Sequence, residues 1–132
     1  IALSNKGAYV LKDAKNLDVI LIATGSEVGI TMNAAKELER EGINTRVVSM
    51  LSTEIFEKQN DDYKEEVLPA KIKNRISIEA GSTSFWYKYV GLNGDTIGID
   101  SFGESAPGGE LLKYFGFTQK NIIDRVKLML KK

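Results

Sequence analysis

The chain has 132 residues, 42% of them apolar, which is enough for one hydrophobic core and too little for two. Its 18 basic and 18 acidic residues balance, so no net charge attracts nucleic acid or an acidic membrane surface. The absence of cysteine and histidine excludes disulfides, thiolate catalysis and the commonest general base and metal ligand. No apolar run approaches the roughly 20 residues of a membrane span, and no signal-peptide pattern is present. We therefore expect a cytoplasmic protein.

The first third of the chain predicts two strands. Residues 1–8 show no element pattern and are predicted to be a lead-in, whereas residues 9–132 form one predicted domain. A short strand is predicted around residues 9–11. The unbroken apolar run Val19–Ala23 is typical of a central parallel strand that is covered on both faces.

The helix that follows is marked at both ends. Thr24 and Glu27 predict a capping box at its start. Gly42 suits the left-handed position just past its end, so that Ile43 can fold back onto Leu38 in a Schellman closure. The predicted buried face of this helix consists of Val28, Met32, Ala35 and Leu38.

Residues 46–50 predict the next strand. Ser52 or Thr53 is expected to cap a short helix that includes Ile55 and Phe56. A second short helix, from residue 61 to residue 68, should stop at Pro69 because proline lacks the backbone N–H that a helix needs.

The remaining pattern predicts two more strands and three helices. Alternation over residues 76–80 predicts a strand that ends at Gly81. Residues 85–90 predict one or two helical turns, 96–99 a last strand, and 110–115 a short helix. Thr118 should cap a final helix. The predicted buried residues of that helix are Ile122, Ile123, Val126, Met129 and Leu130.

Strands separated by helices require crossover connections, which favour a parallel sheet covered on both faces. The first strand has no helix behind it and is expected at the edge, antiparallel. The predicted fold is therefore a three-layer α/β/α domain with a mostly parallel five-stranded sheet and one antiparallel edge strand.

The strand-to-helix turn at Thr24, Gly25 and Ser26 is a possible anion site, because backbone N–H groups and a helix N-terminus converge there. Neither the dinucleotide fingerprint nor the phosphate loop is present in the sequence. Capping would use the same N–H groups, and Glu27 would repel a phosphate. The structural role is therefore the favoured interpretation.

Two further residues have side chains that can act in catalysis. Glu79, at the end of its strand, could be an acid of raised pKa, but such residues more often cap a backbone turn or pair with a base. Ser105 lies in the glycine-rich loop 102–109, where no base is available to activate it. Neither is predicted to be catalytic.

An aromatic cluster follows the third parallel strand and consists of Phe85, Trp86, Tyr87 and Tyr89. Such rings can stack on nucleic-acid bases, but a neutral domain offers no basic groove beside them. Core packing or a protein interface is the better interpretation of this cluster.

Six short segments recur in the order and spacing of a known family. They are GAYVLKD at 7–13, ATGSEV at 23–28, RVVSM at 46–50, YKYVGLNG at 87–94, FGESAP at 102–107 and FGFT at 115–118. FEKQ at 56–59, Tyr63 and VLP at 67–69 add to them. Together these segments resemble the C-terminal domain of transketolases of the bacterial type.

The resemblance implies a part of a larger transferase. Transketolases are homodimeric enzymes that use thiamine diphosphate and Mg²⁺ to transfer a two-carbon ketol unit between sugar phosphates in the pentose phosphate pathway. Their cofactor lies between an N-terminal pyrophosphate-binding domain and a middle pyrimidine-binding domain, and histidines of those domains handle protons. The resemblance therefore implies no catalytic, cofactor-binding or metal-binding residue in this chain, and no activity when it is isolated. Its implied partners are the remaining domains of the same chain and a second subunit.

The sequence departs from the family at its start. Residues 1–4 resemble the last strand of the preceding domain. The family continues with Arg-Gln and a longer linker, where this chain has Asn5, Lys6 and Gly7. That arginine binds substrate phosphate in the family, so this chain has lost it or begins after it.

Two alternatives remain open from the sequence. Related C-terminal domains occur in deoxyxylulose phosphate synthase and in the β subunits of 2-oxoacid dehydrogenases, although the segments at 87–89 and 102–107 favour transketolase. The other alternative is a regulatory module that binds an anion or a nucleotide at residues 24–27.

Overall fold

The computed structural model describes residues 5–25, 27–79, 87–91, 94–97 and 118–131. Ten helices and strands lie within those ranges. In chain order they are β1 (Ala8–Lys12), β2 (Val19–Ala23), α1 (Glu27–Arg40), β3 (Thr45–Met50), α2 (Thr53–Glu57), α3 (Asp61–Val67), β4 (Arg75–Ile78), α4 (Tyr87–Val90), β5 (Asp95–Ile97) and α5 (Gln119–Leu130). The predicted helix at 110–115 and the loop at 102–109 lie outside the described residues.

The five strands form one mixed sheet in the order β1-β3-β2-β4-β5. β1 pairs with β3 antiparallel, whereas the β2–β3, β2–β4 and β4–β5 pairs are parallel. All five residues of the central strand β2 are buried, because helices lie on both sides of it. The predicted α/β/α fold with an antiparallel edge strand is confirmed.

One side of the sheet, which we call the aliphatic face, is covered by α1 and α5. Its core contains no aromatic side chain among the buried residues described. The side chains on this face come from the four strands β2 to β5 and from both helices. They include Leu21, Leu38, Val47, Ile76, Ile78, Ile97, Ile122 and Val126.

The other side, which we call the aromatic face, is covered by the short helices α2, α3 and α4. The rings of Phe56 and Tyr89 are buried in its core. Their centroids are 6.4 Å apart, and Phe56 also meets the Tyr63 ring at 6.4 Å, edge to face. The core of this face also includes Ala8, Ile20, Ile22, Val48, Met50, Val67 and Leu68.

The end of α1 follows the sequence prediction, but its start does not. Gly42 has φ +85°, and the Ile43 N–H donates to the Leu38 carbonyl at 3.0 Å, which confirms the Schellman closure. At the start, Gly25 has φ +54°, a left-handed value that a helical position cannot have. The helix therefore begins at Glu27, whose N–H donates to the Thr24 carbonyl at 3.1 Å. A capping box would require Glu27 to be the third helical residue, so that prediction was wrong.

Two other predicted helix caps are confirmed, whereas some element boundaries differ from prediction. Ser52 and Thr118 cap their helices, accepting from the N–H groups of Ile55 and Asn121 at 3.2 and 3.1 Å. β4 ends at Ile78, before the predicted end at Gly81, and α3 ends at Val67 rather than at residue 68. The buried residues of α1 are Glu27, Thr31, Ala34, Ala35 and Leu38, whereas the predicted Val28 and Met32 are only partly buried. Among the described helices, none has the length and apolar character that crossing a membrane requires.

Candidate functional site

A cleft lies at the carboxyl ends of β2, β3 and β4. In the sheet, β3 lies on one side of β2 and β4 lies on the other side. The direction in which the chain adds strands therefore reverses at this point. Parallel sheets commonly bind ligands at such a switch point. Its volume is about 420 Å³. The residues that line it are Thr24, Gly25, Met50, Leu51, Ser52, Thr53, Glu54 and Glu79.

The turn after β2 forms one wall of this cleft. The Thr24 N–H donates to the Ile78 carbonyl at 3.4 Å, and the Val28 N–H donates to the Gly25 carbonyl at 3.4 Å. Glu27 is only 6% exposed. Its Oε2 atom lies 3.8 Å from the position that a Cβ on Gly25 would occupy. A carboxylate therefore lies beside the N–H groups that an anion would need.

The charge of the cleft also opposes an anion. Glu54 and Glu79 are among its lining residues, and the described part of the lining includes no lysine or arginine. The Glu79 N–H is bonded to the Ile97 carbonyl at 3.0 Å, so this residue fastens the end of β4 to β5. Among the described residues, no group of three or more acidic side chains is arranged to hold a metal ion. The geometry favours a structural role for the turn at Thr24 and Gly25; Ser26 lies outside the described residues.

A second polar cluster lies on the aromatic face. The Tyr89 hydroxyl donates to Glu57 Oε2 at 2.7 Å, and Glu57 also pairs with Lys88 and Lys64 at 3.3 and 3.7 Å. The hydrogen bond from Tyr89 lowers the pKa of Glu57, and the positive charges of Lys88 and Lys64 lower it further. Burial, and then the Glu57 carboxylate, raise the pKa of Tyr89. The cluster ties α2, α3 and α4 together.

The sequence of this fold matches one family over most of its length. Residues 7–118 match the sequence model described as "Transketolase-like TK C-terminal domain". The chain belongs to this family.

Relatives and solved structures agree with the transketolase assignment. "Transketolase 1" of Vibrio cholerae is 56% identical over 126 residues, which is 95% of this chain and 19% of that protein. A transketolase structure from Leishmania mexicana superposes with a TM-score of 0.88 at 38% identity, over 97% of this chain and 18% of that one. A structure described as "Split gene transketolase, inactive beta4 tetramer" gives a TM-score of 0.73 at 28% identity, over 96% of this chain and 43% of that one. The chain thus spans about a fifth of the length of the curated transketolase relatives.

The aromatic cluster that the sequence suggested for an interface is only partly described in this transketolase domain. Phe85 and Trp86 lie outside the described residues, and of Tyr87 only the backbone, at the start of α4, is described. Tyr89 is 6% exposed and packs on Phe56. Tyr89 therefore contributes to the core of the domain, and an interface role stays a prediction for the other three.

Sequence reasoning missed Arg75, which organises the amino-terminal end of β4. Its guanidinium donates to four backbone carbonyls, those of Leu68, Pro69, Ile72 and Tyr89, at 2.7 to 3.2 Å. Burial lowers the pKa of Arg75, although Glu65 opposes the shift. The only sequence signal was an arginine at the first position of a buried strand. Its contacts show that it fastens α4 and the α3–β4 connection to the sheet.

Proposed function

We propose that this chain serves as the C-terminal docking domain of a transketolase, an enzyme whose chemistry takes place in other domains. The observation that carries the proposal is the match of residues 7–118 to the C-terminal domain family, in a chain that covers 19% of its curated relative. The complete enzyme would be a cytoplasmic homodimer that uses thiamine diphosphate and Mg²⁺ to transfer a two-carbon ketol unit between sugar phosphates. The relatives favour a transketolase parent over deoxyxylulose phosphate synthase or a 2-oxoacid dehydrogenase β subunit.

The described residues do not fit thiamine diphosphate. A diphosphate needs cations or a metal ion beside it. The switch-point cleft presents Glu54 and Glu79, and no lysine or arginine lies among the lining residues that the structure describes. The chain also has no histidine to move protons. These features support a domain that stabilises and positions its neighbours rather than one that holds the cofactor.

The proposal is tested by exchanging domains. We call the product the exchange enzyme: Vibrio cholerae "Transketolase 1" with its C-terminal domain replaced by this chain. A coupled ketol-transfer assay should detect turnover by the exchange enzyme and none by the isolated chain. The same relative without any C-terminal domain is the control. Turnover by the isolated chain, or a folded exchange enzyme without activity, would contradict the proposal.

The regulatory alternative has its own test. Phosphate, nucleotides and sugar phosphates should bind the isolated chain no more tightly than about millimolar, because an exposed helix terminus contributes only about 0.3 to 1 kcal/mol toward an anion. Isothermal titration measures this directly. Micromolar binding that is lost in a Gly25→Val variant would show that the turn at 24–26 is a regulatory site.

A further inference from the structure

Four large hydrophobic side chains are exposed on the described surface. Leu11, Leu51, Ile55 and Leu128 are 39%, 55%, 42% and 62% exposed. Leu11 belongs to β1 and Leu128 to α5, whereas Leu51 and Ile55 lie on either side of Ser52, the N-cap of α2. We call Leu51 and Ile55 together the Leu51–Ile55 surface.

This surface lies beside the point where the chain enters the domain. The Gly7 carbonyl accepts hydrogen bonds from the N–H groups of Leu51 and Ser52, at 2.6 and 2.9 Å. A Cβ on Gly7 would lie 2.4 Å from the Ser52 carbonyl oxygen and from the Phe56 nitrogen. The backbone at Gly7 is therefore packed directly on the segment that carries both exposed side chains, so the chain passes Gly7 into the domain beside them.

The relatives indicate what precedes this point. The family is a C-terminal domain, and this chain covers 19% of the Vibrio cholerae protein, so most of a transketolase chain comes before the equivalent of Gly7. Because that part is covalently joined to this domain, its effective concentration at a surface beside the entry point is high. Exposed apolar side chains at that surface gain free energy when a neighbouring domain removes them from water.

We propose that the preceding part of the transketolase chain packs on the Leu51–Ile55 surface. This inference rests on the proposed function and names the surface through which the domain docks. Leu51 also lines the switch-point cleft, and Glu54 is exposed between the two apolar residues. A surface that covers Leu51 therefore also borders the cleft.

Thiol labelling tests the contact, because the chain has no cysteine of its own. Leu51→Cys, Ile55→Cys and the control Leu128→Cys each introduce a single thiol into this domain. Leu128 is the most exposed of the four side chains and belongs to α5, which covers the opposite face of the sheet. Each variant is alkylated as the isolated chain and within the exchange enzyme, and labelling is read by mass spectrometry of the peptide that contains the new thiol.

The expected result is that labelling at positions 51 and 55 slows by about tenfold or more in the exchange enzyme, while labelling at 128 is unchanged. Equal rates in both settings at 51 and 55, or protection at 128 alone, would overturn the proposal. Circular dichroism confirms that each variant is folded before labelling.

A second measurement covers the case in which a cysteine perturbs the domain. Leu51→Ser combined with Ile55→Ser should lower the melting temperature of the exchange enzyme, whereas Leu128→Ser should not. Equal melting temperatures for the three proteins would also contradict the docking surface. The ketol-transfer activity of the unsubstituted exchange enzyme tests the proposed function separately, so failure of the docking surface and failure of the proposed function give different results.

Discussion

The two faces of the sheet are held in different ways. On the aliphatic face, α1 and α5 have 14 and 12 residues, and the core side chains that they contribute are mainly aliphatic. On the aromatic face, α2, α3 and α4 have only 5, 7 and 4 residues. Hydrogen bonds from side chains to backbone carbonyls hold these three helices on the sheet. For example, the Tyr63 hydroxyl donates to the Ala8 carbonyl at 2.7 Å.

The difference follows from helix length. A helix of three or four turns presents an apolar stripe long enough to hold it on a sheet. A helix of one or two turns buries one or two side chains and leaves most of its terminal N–H and C=O groups unpaired. Polar side chains such as Arg75 then satisfy those groups and fix the helices in place. We therefore expect loss of volume to weaken the aliphatic face, and loss of single polar contacts or close backbone approaches to weaken the aromatic face.

The largest effect is expected from Leu38→Ala. Leu38 is fully buried between α1 and the sheet, and truncation there removes apolar contacts and leaves a cavity, at a cost of about 3 to 5 kcal/mol in the free energy of unfolding. Urea unfolding measures this loss. Leu128→Ala, on the solvent side of α5, is the control and should change stability by less than about 0.5 kcal/mol. Equal losses in the two variants would mean that the aliphatic face does not depend on packing.

Gly7→Ala should cost about 3 kcal/mol, because the new Cβ would meet backbone atoms that cannot move aside. Gly42→Ala is a matched control: both glycines have φ +85°, but a Cβ on Gly42 meets nothing within 4 Å. The control should therefore lose only the conformational cost of about 1 to 2 kcal/mol. If thermal unfolding shows the same loss of stability for both variants, the close approach of Gly7 to α2 does not contribute to the free energy of unfolding.

Arg75→Lys should cost about 2 kcal/mol, since lysine keeps the charge but lacks the planar fork that serves several carbonyls at once. Arg40→Lys, at an exposed ion pair with Glu37, should change stability by less than about 0.5 kcal/mol. Hydrogen exchange of the α4 amides is a second readout, because Arg75 holds the Tyr89 carbonyl at 2.7 Å. Unchanged protection of α4 in the Arg75 variant would contradict this role.

Tyr89→Phe should cost about 1 kcal/mol at neutral pH, which is the net value of one hydrogen bond. It should also change the pH dependence of stability. The folded pKa of Glu57 lies below its ordinary 4.5, so its contribution is present above that pH and is lost as the pH falls through the lower folded pKa. The folded pKa of Tyr89 lies above its ordinary 10.0, so its contribution is lost as the pH rises through the higher folded value. Denaturant unfolding from pH 3 to pH 11 should show a shallower decline at both ends in the variant; parallel curves would contradict the assignment.

Local signals explain which parts of the fold could be predicted. The uniform apolar run of β2 and the Gly42 closure depend on residues close in sequence, and both were predicted. The edge position of β1 followed from the missing crossover. The start of α1 was misplaced because the Thr24 and Glu27 pattern does not reveal that Gly25 takes a left-handed conformation.

The polar contacts that hold the aromatic face join residues distant in sequence. Tyr89 and Glu57 are 32 residues apart, and Tyr63 and Ala8 are 55 apart. No periodicity encodes such pairs, so the sequence could place an acid at residue 79 and aromatics at 85–89 without showing what they meet. The contact of Gly7 with the start of α2, on which the docking surface depends, likewise joins residues far apart in the sequence.

Among the described residues, the antiparallel strand β1 pairs with β3 alone and lies at one edge of the sheet, and its shape bears on how the protein behaves when concentrated. Val10 pairs with Val48 and Lys12 with Val47, so Leu11 is an extra residue that interrupts the register. A bulge of this kind twists an edge and breaks its row of hydrogen-bonding groups. A strand from a second molecule thus finds no regular template there, which protects the domain against polymerisation into a continuous intermolecular sheet.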